Sequence, residues 1–140
     1  MPNTQRLHRP LVLVVAVALI DVDGRVLIAR RPEHKKMGGL WEFPGGKVKE
    51  GELLEKALIR ELKEELAIDI EESCLAPFTF ASHAYDDFHL VMPLYVCRIW
   101  KGVPRAMEKQ ELAWVFPQQL RDFSMLPADR PLVAMLCDLL

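Results

Sequence analysis

Ten consecutive apolar residues, Leu11 to Ile20 (LVLVVAVALI), constrain the fold more than any other feature of this sequence. Arg6 and Arg9 precede the run, as basic residues precede the core of a signal peptide. A bilayer-spanning helix needs roughly 20 residues, about twice this length. The run is rich in Val and stops at Asp21-Val22-Asp23-Gly24, a turn sequence, before a second strand-like run from Arg25 to Ala29. A buried strand followed by a hairpin accounts for both halves, whereas a signal peptide accounts only for the first. The strand reading implies a cytoplasmic protein.

The rest of the chain fits one globular domain over residues 1–140, with 51% apolar and 27% charged residues excluding a disordered chain. A chain of this length buries roughly two thirds of its unfolded surface and needs no staples. Lys and Arg number 18 against 20 Asp and Glu, a net charge of −2, so no broad basic field marks a nucleic-acid polymer or a membrane as partner. Any phosphate must be met locally. Cys74, Cys97 and Cys137 are odd in number and form no C-x-x-C pair, which predicts three buried, reduced thiols.

The only long helical pattern runs from about Leu53 to Ala67, where Leu54, Ala57, Leu58, Leu62 and Leu66 recur at three- and four-residue intervals. Phe78–His83 and Phe88–Trp100 are strand-like, with Asp86-Asp87 as a turn between them, and Ala113–Phe116 is another short strand. A closing helix is predicted from about Asp129 to Leu139, with Asp129 as candidate cap and Pro131 in its first turn. No repeat or linker interrupts this order, which predicts a mixed sheet flanked by helices.

The long helix carries Arg60-Glu61-Leu62-Lys63-Glu64-Glu65, and its spacing sends Glu61, Glu64 and Glu65 to one face. Such a face is either solvated or matched to a hard divalent cation, for which carboxylate oxygens are the preferred ligands. Gly45-Gly46 stands just upstream, and Gly51-Glu52 closes a loop into the helix. Glycines let backbone approach a ligand closely, and the loop would bring Glu52 beside the helix acids. Four inward acids on a loop–helix unit suit a metal–diphosphate site, because Mg²⁺ usually takes one or two carboxylates plus substrate phosphates.

The stretch GGKVKEGELLEKALIRELKEELAI resembles the Nudix box, with Gly46, Glu52, Arg60, Glu61, Leu62, Glu64, Glu65 and Ile68 in register. At roughly 6% usage per residue type, six fixed identities coincide by chance on the order of 10⁻⁷ per window. Ala67 stands where the family usually has Gly; it would accept the same left-handed helix exit at a cost of about 1 kcal/mol. The likeness extends to Trp41–Gly46, Arg30-Arg31, Trp114 and Leu126–Leu132, and is to the MutT-type branch over roughly residues 11–139.

The resemblance implies an α+β fold, an α/β/α sandwich around a central mixed sheet. It also implies Mg²⁺-dependent attack of water on a nucleoside triphosphate, releasing monophosphate and pyrophosphate, with Mn²⁺ as a substitute ion. Glu61, Glu64 and Glu65 would hold the metal, with the Gly45 carbonyl and Glu52 as further donors; Glu52 is otherwise the partner of Arg60. Arg60 either orients an acid or balances charge. Glu64, Glu65 and Glu108 are the candidates for general base, Glu108 being equally at home on the surface. Arg31, Glu42, Phe78 and Asp129 fall at substrate-binding positions, Arg31 for phosphate, Phe78 or Phe80 against the base. Trp41, Phe78, Phe80 and Trp100 nevertheless belong to the core more readily than to a base platform. His34, His83 and His89 show no ligand spacing.

Asp129 falls at the base-reading position, where an ionised carboxylate would select bases offering N–H groups, guanine and cytosine types alike; its plainer role is the helix cap. The substrate expectation is therefore 8-oxo-dGTP, hydrolysed to protect the nucleotide pool and avoid mutation. CTP or an oxidised pyrimidine triphosphate is the alternative, and a catalytically idle, nucleotide-sensing domain is the contrasting class. Its intact acids argue against idleness. A monomer in the cytoplasm is expected.

Overall fold

A computed structural model describes residues 9–140, so Arg6 lies outside the described residues. Strand β1 (Leu11–Leu19) is the Val-rich run, and it lies between β4 (Gly45–Lys47), antiparallel to it, and β6 (His89–Cys97), parallel to it. Strand β5 (Ala76–Ala84) completes a four-stranded mixed sheet in the order β4-β1-β6-β5. A smaller antiparallel sheet joins β3 (Trp41–Glu42), β2 (Val26–Arg30) and β7 (Glu111–Val115).

The expected hairpin after β1 is only half present. The turn forms as predicted, with Asp21 Oδ1 accepting the Asp23 and Arg25 amides at 3.0 and 2.8 Å. After one bridge, Ile20 to Val26, the two strands diverge into different sheets. Burial explains the divergence: β1 and β2 are both apolar on both faces, so each must be covered twice.

The alternation of β1 divides the interior. Val15, Val17 and Leu19 pack under helix α1 (Leu54–Leu66), with Ala57, Leu58, Leu62 and Leu66. Ala16, Ala18 and Ile20 face the other core, with Leu132, Val133 and Leu136 of helix α2 (Arg130–Leu139). One strand thus serves two layers, and the α/β/α sandwich follows from a two-residue period.

Helix α1 ends where Leu66 is succeeded by Ala67 at φ 58°, ψ 36°, the left-handed exit expected there despite the absence of Gly. Two expectations are corrected. Cys97 is fully buried, but Cys74 and Cys137 are only half-buried because both sit outside the strands, on a 3-10 turn and on the rim of α2. Phe80 is 60% exposed rather than core, because it falls on the edge strand. Trp41 meets Phe123 edge-on at 5.2 Å and Trp100 stacks on Trp114 at 6.0 Å, so both tryptophans pack as expected. Among the described residues no helix is long and apolar enough to cross a membrane.

Candidate active site

Strand β4 can reach β1 only because its first two residues have no side chains. A Cβ on Gly45 would lie 2.0 Å from the Val15 carbonyl oxygen, and one on Gly46 would lie 2.2–2.5 Å from the Glu61 carboxyl atoms. Glu61 is therefore laid over Gly46, and the Gly45 N–H donates to Glu65 Oε1 at 3.0 Å. The loop returns to α1 through Glu52, whose Oε1 accepts the Lys49 N–H at 3.0 Å.

Arg60 organises the near side of this acidic cluster. Its Nε and Nη2 donate to both oxygens of Glu52, at 2.8 and 3.0 Å, a forked pairing that suits a guanidinium. Nη1 donates to Glu61 Oε1 at 3.0 Å, and Nη2 to the Lys47 carbonyl at 3.2 Å. The Arg60 hydrogen bonds and the Lys49 amide hold the Glu52 carboxyl well below the usual range, at about 2.

The helix does not present three acids to one point. At roughly 100° per residue Glu65 falls about 40° from Glu61 on one side, and Glu64 about 60° on the other. Glu61 and Glu65 line a cavity of about 580 Å³. Glu64 does not; its side chain is 52% exposed and reaches only Arg60, at 3.5 Å. Glu52 is likewise outside the cavity lining, engaged by Arg60. Of the four acids expected to face inward on this unit, Glu61 and Glu65 line the cavity, while Glu52 and Glu64 are turned toward Arg60.

Two further acids arrive from elsewhere: Glu42 from β3, and Glu108 from the segment before β7. Burial is the main force on Glu65, raising its carboxyl to about 9; Glu61, Glu108 and Glu42 add repulsion against a single Gly45 amide. Burial raises Glu61 and Glu42 in the same direction, opposed by Arg60 and Arg31 respectively. Hard, buried oxygen donors with too little positive charge among them are chemically matched to a hard divalent cation. Among the described residues no three His, Cys, Asp or Glu side chains converge on one point, so the match lies in the donor chemistry. That still suits an ion that habitually uses one or two carboxylates and takes the rest of its shell from phosphate and water.

The opposite end of the cavity has another character. Asp129 is 2% exposed, the one buried charged residue among those described. It stands at the helix N-cap position, yet makes no side-chain bond to α2. The cap expectation is corrected: Oδ2 accepts the Phe43 N–H at 2.9 Å, across 86 residues of sequence. Its backbone is already helical at φ −84°, ψ −22°, which turns the carboxyl away from the first-turn amides. Burial pushes Asp129 up to about 8, against the Phe43 hydrogen bond. Leu90, Met92, Val12, Val14 and Leu126 supply apolar lining, with Tyr85 stacked on Phe88 at 4.8 Å.

Arg31 lies at the cavity with its Nη1 3.3 Å from Glu42 and its Nε donating to the Lys36 carbonyl at 2.9 Å. Lys35 and Lys36 line the same side, Lys36 Nζ standing 5.9 Å above the Phe88 ring. Phe78 stands apart from this cavity: it lines a second, apolar one with Phe80, Pro93 and Tyr95. The β5 register shifts between Pro77 and Thr79, at Phe78 itself. Tyr85, Phe88, Lys35, Lys36 and Gln110 went unrecognised in the sequence. The two aromatics flanking Asp86-Asp87 were the available signal, since a turn between strands places its flanks side by side.

With this geometry in place, comparison with known proteins is informative. A family model described as NUDIX domain matches residues 15–135. An Escherichia coli protein named CTP pyrophosphohydrolase is 37% identical over 121 residues, covering 85% of this chain and 87% of that one. A Proteus vulgaris 8-oxo-dGTP diphosphatase is 37% identical over 102 residues, covering 73% of this chain and 85% of its own length. A solved MutT structure, from work on the Aliivibrio salmonicida and Vibrio cholerae proteins, superimposes with a TM-score of 0.79 at 32% identity, covering 93% of this chain and 99% of that chain.

Proposed function

This chain belongs to the NUDIX domain family, and from that premise we propose that it hydrolyses 8-oxo-dGTP to the monophosphate and pyrophosphate. In this role it is a single domain over residues 1–140, a cytoplasmic monomer acting on free nucleotides. Its effect is to keep oxidised guanine out of DNA replication. The observation that carries the reading is the two-ended cavity: buried carboxylates beside Gly45 at one end, and buried Asp129 within apolar and aromatic walls at the other.

Nudix hydrolases generally use a divalent metal. Mg²⁺, or Mn²⁺ in its place, would be held by Glu61 and Glu65 with the Gly45 carbonyl, and by Glu64 and Glu52 where their side chains turn inward. Such an ion supplies charge neutralisation of phosphate oxygens and a more acidic water. Arg60 fixes Glu52 and Glu61 as a unit, so that those carboxylates are oriented before substrate arrives. Arg31, freed from Glu42 or shared with it, faces the phosphates with Lys35 and Lys36. Glu108 serves in this reading as the acid that takes a proton from attacking water, supported by its lying in the cavity outside the Arg60 cluster. Asp129 Oδ2 is committed to Phe43, which leaves Oδ1 to a base edge.

The CTP reading stays in view because the E. coli relative is named for it and matches 85% of this chain. As a carboxylate, Asp129 Oδ1 accepts from the amino group of cytosine as from N1–H and N2–H of guanine; protonated, as its burial favours below about pH 8, it donates instead. A panel of triphosphates decides between them. With Mg²⁺, kcat/KM for 8-oxo-dGTP is expected to exceed that for CTP, dCTP and 5-hydroxy-dCTP; the reverse order would replace the substrate assignment.

A further inference from the structure

A helix leaves its last carbonyls without intrahelical partners. In α1 the last two, those of Glu65 and Leu66, are met by the segment that follows β6. The Arg105 N–H donates to the Leu66 carbonyl at 2.9 Å and the Met107 N–H to the Glu65 carbonyl at 3.1 Å. The Glu65 carbonyl then receives a second donor, Gln110 Nε2, at 2.9 Å. The other end of the same carboxamide, Gln110 Oε1, accepts the Glu108 N–H at 2.8 Å. Lys109 between them is left-handed at φ 62°, a conformation that disfavours any residue with a Cβ by about 1–2 kcal/mol.

Capping alone does not call for this arrangement, because Met107 already satisfies the Glu65 carbonyl. What Gln110 adds is a tie between the backbone of Glu65 and the backbone of Glu108. Those two positions carry two of the cavity's carboxylates, and Gln110 lines the cavity beside them. The left-handed kink at Lys109 is the local cost of folding the carboxamide back onto Glu108.

We propose that Gln110 is a positioning residue for the hydrolytic reaction, its carboxamide fixing Glu108 against the last turn of α1. The proposal rests on the hydrolase reading given above. Glu108 sits in an irregular segment, not on a helix or strand, and a proton acceptor misplaced by 1 Å loses much of its effect. One carboxamide bonded at both ends supplies the rigidity that the segment lacks.

The test measures pyrophosphate release from 8-oxo-dGTP with Mg²⁺ in Glu65→Gln, Glu108→Gln, Gln110→Met and the Glu108→Gln/Gln110→Met double variant. Glu108→Gln is expected to lower kcat about 100-fold, in line with loss of a general base. Gln110→Met should lower kcat roughly tenfold with KM within about twofold. The double variant should match Glu108→Gln alone within about twofold, since placement has nothing left to act on once the carboxylate is gone. A Gln110 that served only the fold would multiply its loss onto Glu108→Gln, and that result would overturn the proposal. So would wild-type kcat in Gln110→Met or in Glu108→Gln. Gln110→Asn, one methylene shorter and unable to span both partners, carries the same cycle if the Met variant does not fold. Normal turnover by Glu65→Gln would instead bring down the hydrolase reading beneath the proposal.

Discussion

The two ends of the cavity are built on opposite principles. The acidic end is built chiefly from one continuous stretch, Gly45 to Glu65, in which a glycine pair, a loop and a helix meet across 20 residues, with Glu42 and Glu108 joining from outside it. The Asp129 end is assembled from β3, the β5–β6 turn and the start of α2, with its key hydrogen bond spanning 86 residues. The first is solvated on one flank and crowded with charge. The second has a single buried acid among apolar walls. Local construction suits a task that depends on charge density; long-range construction suits a task that depends on shape, because only the finished fold defines it.

The largest expected effect tests the acidic end. Glu65→Gln should lower kcat by at least about 10³-fold for every triphosphate, with an unchanged circular-dichroism spectrum, since it removes charge but not volume. Loss confined to one base would merge the two ends and break the contrast. Next, Asp129→Ala should lower kcat/KM for 8-oxo-dGTP by about 10²-fold and flatten its advantage over CTP, as a buried polar contact is lost. A uniform loss across all bases would mean that this end does not discriminate.

A smaller effect concerns stability. The Asp129 carboxyl is raised to about 8 in the folded protein, against about 3.9 unfolded. Its stabilising contribution is therefore fully present below about pH 3.9 and is lost as pH rises to about 8, because the folded state holds the extra proton. In metal-free protein, Tm should fall over that window, and Asp129→Asn should make the fall shallower. Parallel Tm curves for the two proteins would remove Asp129 from the account. The smallest effect returns to the acidic helix: Ala67→Gly should raise stability by about 0.5–1 kcal/mol in urea unfolding, by relieving the left-handed exit, with turnover unchanged.

The same contrast governs what could be read in advance. The α1 helix, its left-handed exit, the strand at Leu11 and the glycine pair are local patterns, and local physics determines them. Glu64 stands outside the cavity lining, which the sequence did not show, because one face of an isolated helix says nothing about where the cavity lies relative to it. Asp129 could be singled out in the sequence, but its bond to Phe43 could not, since no sequence signal links positions 86 residues apart. Phe78 lines the second cavity and sits at a register shift in β5, and such a shift does not announce itself in composition. The divergence of β1 and β2 into separate sheets escaped the hairpin signal for the same reason: a turn sequence specifies the bend and not the destination.

One detail of the backbone ties the ends together. The Phe43 amide is held by Asp129 and the Gly45 amide by Glu65, with only Pro44 between them. Two residues of chain reach at most about 7 Å. The segment is therefore a gauge: it sets a short, fixed span between the amide that Asp129 holds and the amide that Glu65 holds, and Pro44 stiffens it. Lengthening that span by a single inserted residue would leave both ends intact and still spoil their agreement on the size of the molecule that fits.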